Sequence, residues 1–157
     1  MAKFSVILLA AGRSERFGDK NYKKPFVMVG DRAVWLHAAE AFVNRSDVCQ
    51  TLVVVAKEDR EMFELKFGAN LAFSGFEICT GGEERSDSVA AALAMVHPDA
   101  GFVAIHDAAR PCVDAQAVDR VFAAAIATGA AGPRSCNWSA SVWLDATMTP
   151  VAIWPSG

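Results

Sequence analysis

Between Leu8 and Phe26 the chain reads LLAAGRSERFGDKNYKKPF, an apolar run that ends at a glycine and gives way to a cationic loop. Residues 12–24 hold Arg13, Arg16, Lys20, Lys23 and Lys24 against only Glu15 and Asp19, in a chain whose net charge is −3. A local cationic island on an acidic protein suits a small polyanionic ligand better than a nucleic-acid surface. Ala10, Ala11 and Gly12 add no bulk, so backbone N–H groups there can approach phosphate oxygens closely. Arg16 offers a planar fork of donors and Lys24 a compact point charge, and Pro25 biases the Lys24 backbone toward extended conformations. The competing account is a plain solvated loop. Neither a Walker A loop nor the G-x-G-x-x-G fingerprint is present.

Two later stretches extend the same chemistry. In GGEER, residues 81–85, the paired glycines permit a tight turn that could present backbone groups to a nucleobase. Taken alone, the turn is better read as a plain strand-to-helix connection, with Arg85 and Asp87 as solvated charges. In HDAARP, residues 106–111, Asp107 stands at a predicted strand end beside small residues. A carboxylate facing a triphosphate needs a bridging cation, and Mg²⁺ supplies one. Otherwise Asp107 caps its turn or pairs with Arg110. His106 is expected on the opposite side of the strand, as a buried hydrogen-bonding residue, while His37 and His97 have no neighbours that suggest a site.

The elements that must position these loops follow from periodicity. Apolar or β-branched runs predict strands at Phe4–Leu9, Thr51–Ala56, Phe76–Thr80 and Phe102–His106. Helical spacing appears at Ala33–Val43, with Val34, Ala38, Ala41 and Phe42 for one face, and at Glu58–Phe67, with Met62, Phe63 and Phe67 apolar. A third helix spans Ser86–Val96, where Ser86, Asp87 and Ser88 supply N-cap types. A fourth spans Asp114–Thr128, capped by Asp114 and stopped by Gly129. Strands alternating with helices predict an α/β fold: a mainly parallel sheet with helices on both faces. Ligands of such sheets sit beyond the carboxyl ends of the strands. All three loops fall at that edge, which raises a shared polyanion site above three unrelated solvated turns.

Composition narrows the class. At 157 residues with 53% hydrophobic and 21% charged content, the chain reads as one globular domain able to bury a sizeable core. An acidic balance argues against a general nucleic-acid binder, and no apolar run approaches the length of a membrane span. Cys49, Cys79, Cys112 and Cys136 are widely spread and read as reduced thiols, consistent with a cytoplasmic setting. The start MAKFSVILLAA has the shape of a short secretory leader, but a buried strand running into the cationic loop is the favoured reading.

LLAAGRSERFG, KKPF, GGEERSDSV and HDAARP, in that order and spacing, resemble the 2-C-methyl-D-erythritol 4-phosphate cytidylyltransferase family over roughly residues 4–131. The resemblance implies a Rossmann-like, three-layer nucleotidyltransferase fold, here with an incomplete C-terminal part. It implies transfer of a cytidylyl group from CTP to 2-C-methyl-D-erythritol 4-phosphate, with pyrophosphate as the second product and Mg²⁺ as cofactor. By the same resemblance Ala10, Ala11, Gly12 and Arg13 cradle the CTP phosphates, and Arg16 and Lys24 stabilise the transition state. Gly82, Glu83 and Ser88 match cytidine-binding positions, Asp107 matches the metal ligand, and Ala108 and Arg110 border that site. Ser14 departs from the family, many of whose members have glycine there. The nearest rival is a ribitol-5-phosphate cytidylyltransferase; the rival from another class is an inactive CTP-binding remnant.

The likeness stops after Ala131. Gly132–Gly157 holds three of the four tryptophans and three of the six prolines but only two charges, Arg134 and Asp145, and shows no convincing helix or strand pattern. The chain therefore divides into a nucleotidyltransferase core, residues 1–131, and an aberrant tail, residues 132–157. A shifted reading frame explains the abrupt change better than a different natural tail or an altered fragment end. The family's dimerisation arm and acceptor-binding segment are not recognisable in it, and one sheet edge is expected to be left bare.

Overall fold

The computed structural model describes residues 1–12, 23–129 and, for the backbone, 141–144. The first strand, β1 (Phe4–Leu9), is buried along its whole length. Two short strands, β2 (Met28–Val29) and β3 (Arg32–Ala33), form a separate antiparallel pair before helix α1 (Val34–Val43). Next come β4 (Val48–Val55), α2 (Arg60–Ser74), β5 (Glu77–Thr80), α3 (Arg85–Leu93), β6 (Phe102–Asp107), α4 (Ala115–Thr128) and β7 (Ser141–Leu144). Single 3-10 turns at Lys24–Phe26 and Lys57–Asp59 lead into the first pair of short strands and into α2.

The main sheet has the order β5-β4-β1-β6-β7, parallel except for the last pair. Because β1 pairs with β4 on one side and β6 on the other, the chain winds outward in both directions from β1. Alternation along β1 separates two cores. Phe4, Val6 and Leu8 join residues of α1, α2 and α4 on one face, while Ile7 and Leu9 meet Ala92 of α3 on the other. The larger core is aromatic: Phe122 stacks on Phe4 with centroids 3.7 Å apart, and Trp35 packs against Phe63, Phe67 and Phe76 at 5.0–5.4 Å. These are the three layers expected from the alternating pattern.

Several boundaries and three strands, the short pair β2 and β3 and the later β7, differ from the sequence reading. Strand β7 lies inside the tail and pairs antiparallel with β6, from Phe102↔Leu144 to Ile105↔Ser141. The β6 edge is thus covered, not bare. Four residues give too short a pattern to stand out in a stretch of mixed composition. Helix α2 runs to Ser74 because Gly75, at φ 67°, supplies its left-handed stop; the apolar pattern fades seven residues earlier. In α1 the buried stripe includes Trp35 and Ala39, whereas Ala41 is only partly covered. Ala33 belongs to β3, and Met62 of α2 is exposed.

Candidate active site at the carboxyl edge of the sheet

Three backbone hydrogen bonds gather the three loops. The Ala10 N–H donates to the Val54 carbonyl at 2.8 Å, extending β1 alongside β4. The Gly81 N–H donates to the Val55 carbonyl at 2.8 Å, and the Ala108 N–H to the Leu9 carbonyl at 3.0 Å. Leu9 is the register partner of both Val54 and Asp107. The loops after β1, β5 and β6 therefore leave one edge of one sheet. Since the chain passes from β1 to β4 on one side and from β6 to β7 on the other, the strand order reverses between β1 and β6, and the crevice there is the topological switch point at which open α/β sheets bind ligands.

The glycine turn is in direct contact with the first loop. A Cβ added at Gly81 would stand 2.7 Å from Ser88 Oγ, 2.9 Å from Ala11 Cβ and 3.2 Å from Val54 Cγ1. One added at Gly82 would fall 2.3 Å from Asp87 Cβ. Both positions exclude side chains on steric grounds. The start of α3 differs from the expected Ser86–Ser88 cap: Glu84 is the N-cap residue, and Asp87 reaches back to accept from the Glu84 N–H at 3.1 Å. Ser88 is buried; its hydroxyl donates to the Glu84 carbonyl at 3.1 Å and accepts from the Gly82 N–H at 3.2 Å. Ser88 thereby shapes the glycine turn from beneath. Gly82 and Glu83 are exposed at its tip.

Asp107 ends β6 half-buried. Its Oδ1 accepts from the Ala109 N–H at 3.1 Å, and Arg110 Nε lies 3.6 Å from Oδ2. Ala108 is buried and Arg110 exposed. His106 behaves as the alternation requires: fully buried, with Nε2 donating to the Arg110 carbonyl at 3.0 Å, which ties down the turn that follows Asp107. Burial pushes the His106 imidazole below its ordinary pKa and keeps it neutral, the Arg110 hydrogen bond and the Asp107 charge opposing that shift only in part.

Of the cationic loop, Ala10 is buried, Ala11 half-buried and Gly12 exposed, with no described atom within 4 Å of a Cβ placed at Gly12. Arg13 and Arg16 lie outside the described residues. Lys24 is exposed at the start of its 3-10 turn. Lys23, by contrast, is turned aside and bonded to Asp59, with Glu58 Oε1 at 3.6 Å. Sequence spacing gave no sign of this division between adjacent lysines, because Asp59 is 36 residues away. Asp59 itself follows β4 at the same carboxyl edge, as does Arg60, whose Nη1 donates to Thr80 Oγ1 at 2.6 Å.

The chain matches the family model of 2-C-methyl-D-erythritol 4-phosphate cytidylyltransferase over residues 4–135. It belongs to that family. A curated relative of that name from Rhodopirellula baltica is 39% identical over 141 residues, which cover 83% of this chain and 58% of the relative. A solved bifunctional IspDF from Campylobacter jejuni is 29% identical with a TM-score of 0.64, covering 82% of this chain and 31% of that one. A solved 4-diphosphocytidyl-2C-methyl-D-erythritol synthase, at 22% identity, shares the fold with a TM-score of 0.65 over 92% of this chain and 76% of its own. The chain spans about half the length of the single-function curated relatives it matches.

Family membership bears on the metal question through the donor set. Among the described residues no three His, Cys, Asp or Glu side chains gather into a metal cage. A single half-buried carboxylate at a strand end, Asp107, fits Mg²⁺, which prefers one or two carboxylates completed by substrate oxygens and water. Among the described residues no helix is long and apolar enough to cross a membrane, and Cys49, Cys79 and Cys112 are free.

Proposed function

We propose that this chain carries the CTP-binding and phosphoryl-activating half of a cytidylyltransferase that acts on 2-C-methyl-D-erythritol 4-phosphate. The observation that supports it most is the meeting of Ala10–Gly12, Gly81–Gly82 and Asp107–Arg110 at the β1/β6 switch point. The glycine turn, with exposed Gly82 and Glu83 and with Ser88 beneath it, reads the cytosine and ribose. Ala10, Ala11, Gly12 and Arg13 receive the triphosphate. Asp107, bordered by Ala108 and Arg110, holds the magnesium ion, which when bound neutralises phosphate charge.

The acceptor phosphate oxygen attacks the α-phosphorus of CTP in line, and pyrophosphate departs. That oxygen is already ionised, so no protein nucleophile or base is needed. The barrier lies in bringing anions together and in charge that grows on the α-phosphoryl oxygens. Lys24 and Arg16 act there as fixed cations, where positioning and electrostatic stabilisation are the main tools. The curated relatives reported above are named for methylerythritol phosphate, which favours that acceptor over ribitol 5-phosphate. The enzyme is proposed to work in the cytoplasm and, like its family, as a homodimer.

Calorimetric titration of the chain with CTP, in the presence and absence of Mg²⁺, tests the nucleotide assignment. CTP should bind more tightly than ATP or GTP, and Mg²⁺ should strengthen it. Equal affinity for all three triphosphates overturns the assignment. A pyrophosphate-release assay with CTP and each of the two acceptors then separates a complete enzyme from a binding remnant and fixes the acceptor.

A further inference from the structure

Lys23 and Lys24 are neighbours of identical chemistry, but the fold treats them differently. The Lys23 side chain is only 16% exposed and Asp59 only 14%, so their bond is shielded more than an ordinary surface pair. Asp59 is fixed in turn, its N–H donating at 3.0 Å to the carbonyl of Ala56, the first residue beyond β4. On the other side of Lys24, Phe26 is sunk into the core with its ring 5.4 Å from Phe63 and 6.4 Å from Phe67. The Phe26 N–H closes the turn by donating to the Lys23 carbonyl at 3.0 Å. Lys24 is therefore held between two anchors, one electrostatic and one aromatic.

We infer that Asp59 is a positioning residue for Lys24: by binding Lys23 it indexes the start of the Lys24 side chain to the end of β4, and so to the phosphate loop that continues β1 alongside that strand. This rests on the reading of Lys24 as a phosphate-binding cation. A lysine ammonium on a flexible stem loses rotational freedom when it engages a phosphate, and a fixed backbone origin lessens that cost. The sacrifice of one cation of the island to hold the other accounts for a part-buried charge pair beside a site that needs positive charge.

The test is a mutant cycle read by CTP affinity in the presence of Mg²⁺, with thermal melts to verify folding. Lys23→Met, Asp59→Asn and the double variant should each weaken CTP binding by the same factor, roughly five- to tenfold. The double variant leaves no unpaired part-buried charge, so it remains informative if a single variant folds poorly. In a Lys24→Ala background, Asp59→Asn should cause no further loss. An equal loss in that background, or no loss in the Lys24-containing protein, overturns the inference, since a merely structural pair would act regardless of Lys24. If Lys24→Ala leaves CTP affinity unchanged, the functional reading of Lys24 fails first and takes the positioning role with it.

Discussion

Gly81 and Ala11 belong to loops 70 residues apart, yet a side-chain carbon at Gly81 would lie 2.9 Å from the Ala11 Cβ. The two loops are in contact with no space for a methyl group, so the two ends of the proposed site, nucleoside and phosphate, are mechanically joined. Gly81→Ala should push the loops apart and cost roughly 1–3 kcal/mol of stability by overpacking. CTP affinity should fall as well. Chemical denaturation and calorimetry check both; a variant as stable as the parent shows that the turn can give.

Lys24→Ala should leave the fold intact, because the side chain is exposed and its anchors are Lys23 and Phe26. The loss of transition-state stabilisation should be about 3 kcal/mol, a hundredfold or more in turnover wherever turnover is measurable. Near-normal pyrophosphate release by this variant removes Lys24 from the mechanism.

Asp107→Asn keeps a side-chain oxygen for the Ala109 N–H but discards the charge a magnesium ion requires. CTP affinity of the variant in Mg²⁺ should drop to the value the parent shows in excess EDTA. An undiminished response to Mg²⁺ places the metal elsewhere.

His106 ties stability to pH. Its folded pKa is depressed by burial, so between the ordinary imidazole value, about 6.5, and that lower folded value only the unfolded chain takes up the proton. The contribution is complete above the ordinary value and is lost as pH falls through this window. Denaturation midpoints should decline as pH falls from about 7 into the acidic range, and His106→Gln should flatten the slope while lowering stability throughout. A parent protein with no slope in that range contradicts the burial of a neutral ring.

Phe63 is fully buried and touches Phe26, Trp35 and Phe67, so it links α1, α2 and the Lys24 turn. Phe63→Ala should destabilise the domain by about 3–5 kcal/mol, measured by denaturant unfolding. A loss below about 1 kcal/mol would mean that the aromatic cluster closes over the gap.

Much of this protein could be read from local pattern. Phe4–Leu9 is the central strand with the bounds the apolar run predicts, and Asp114 and Gly129 cap and stop α4 as their chemistry suggests, Asp114 Oδ1 accepting from the Ala117 N–H at 2.6 Å. His106 is buried because strand alternation sets it opposite Asp107. These features depend on period, cap chemistry and turn residues, all carried by a few adjacent positions.

Other features needed the third dimension. The identity of the α3 cap, Glu84 in place of Ser86–Ser88, was settled by where the Gly81–Gly82 turn delivers the chain. Strand β7 forms because the exposed backbone of β6 offers partners, not because its own four residues announce a strand. The choice of Lys23 as the partner of Asp59 likewise arises from two segments 36 residues apart in sequence. By itself the sequence determined the four parallel strands, the four helices, the family and the three loops; tertiary structure decided the short strands and which side chains those loops share, since pairings across long separations are fixed only when the strands dock in register.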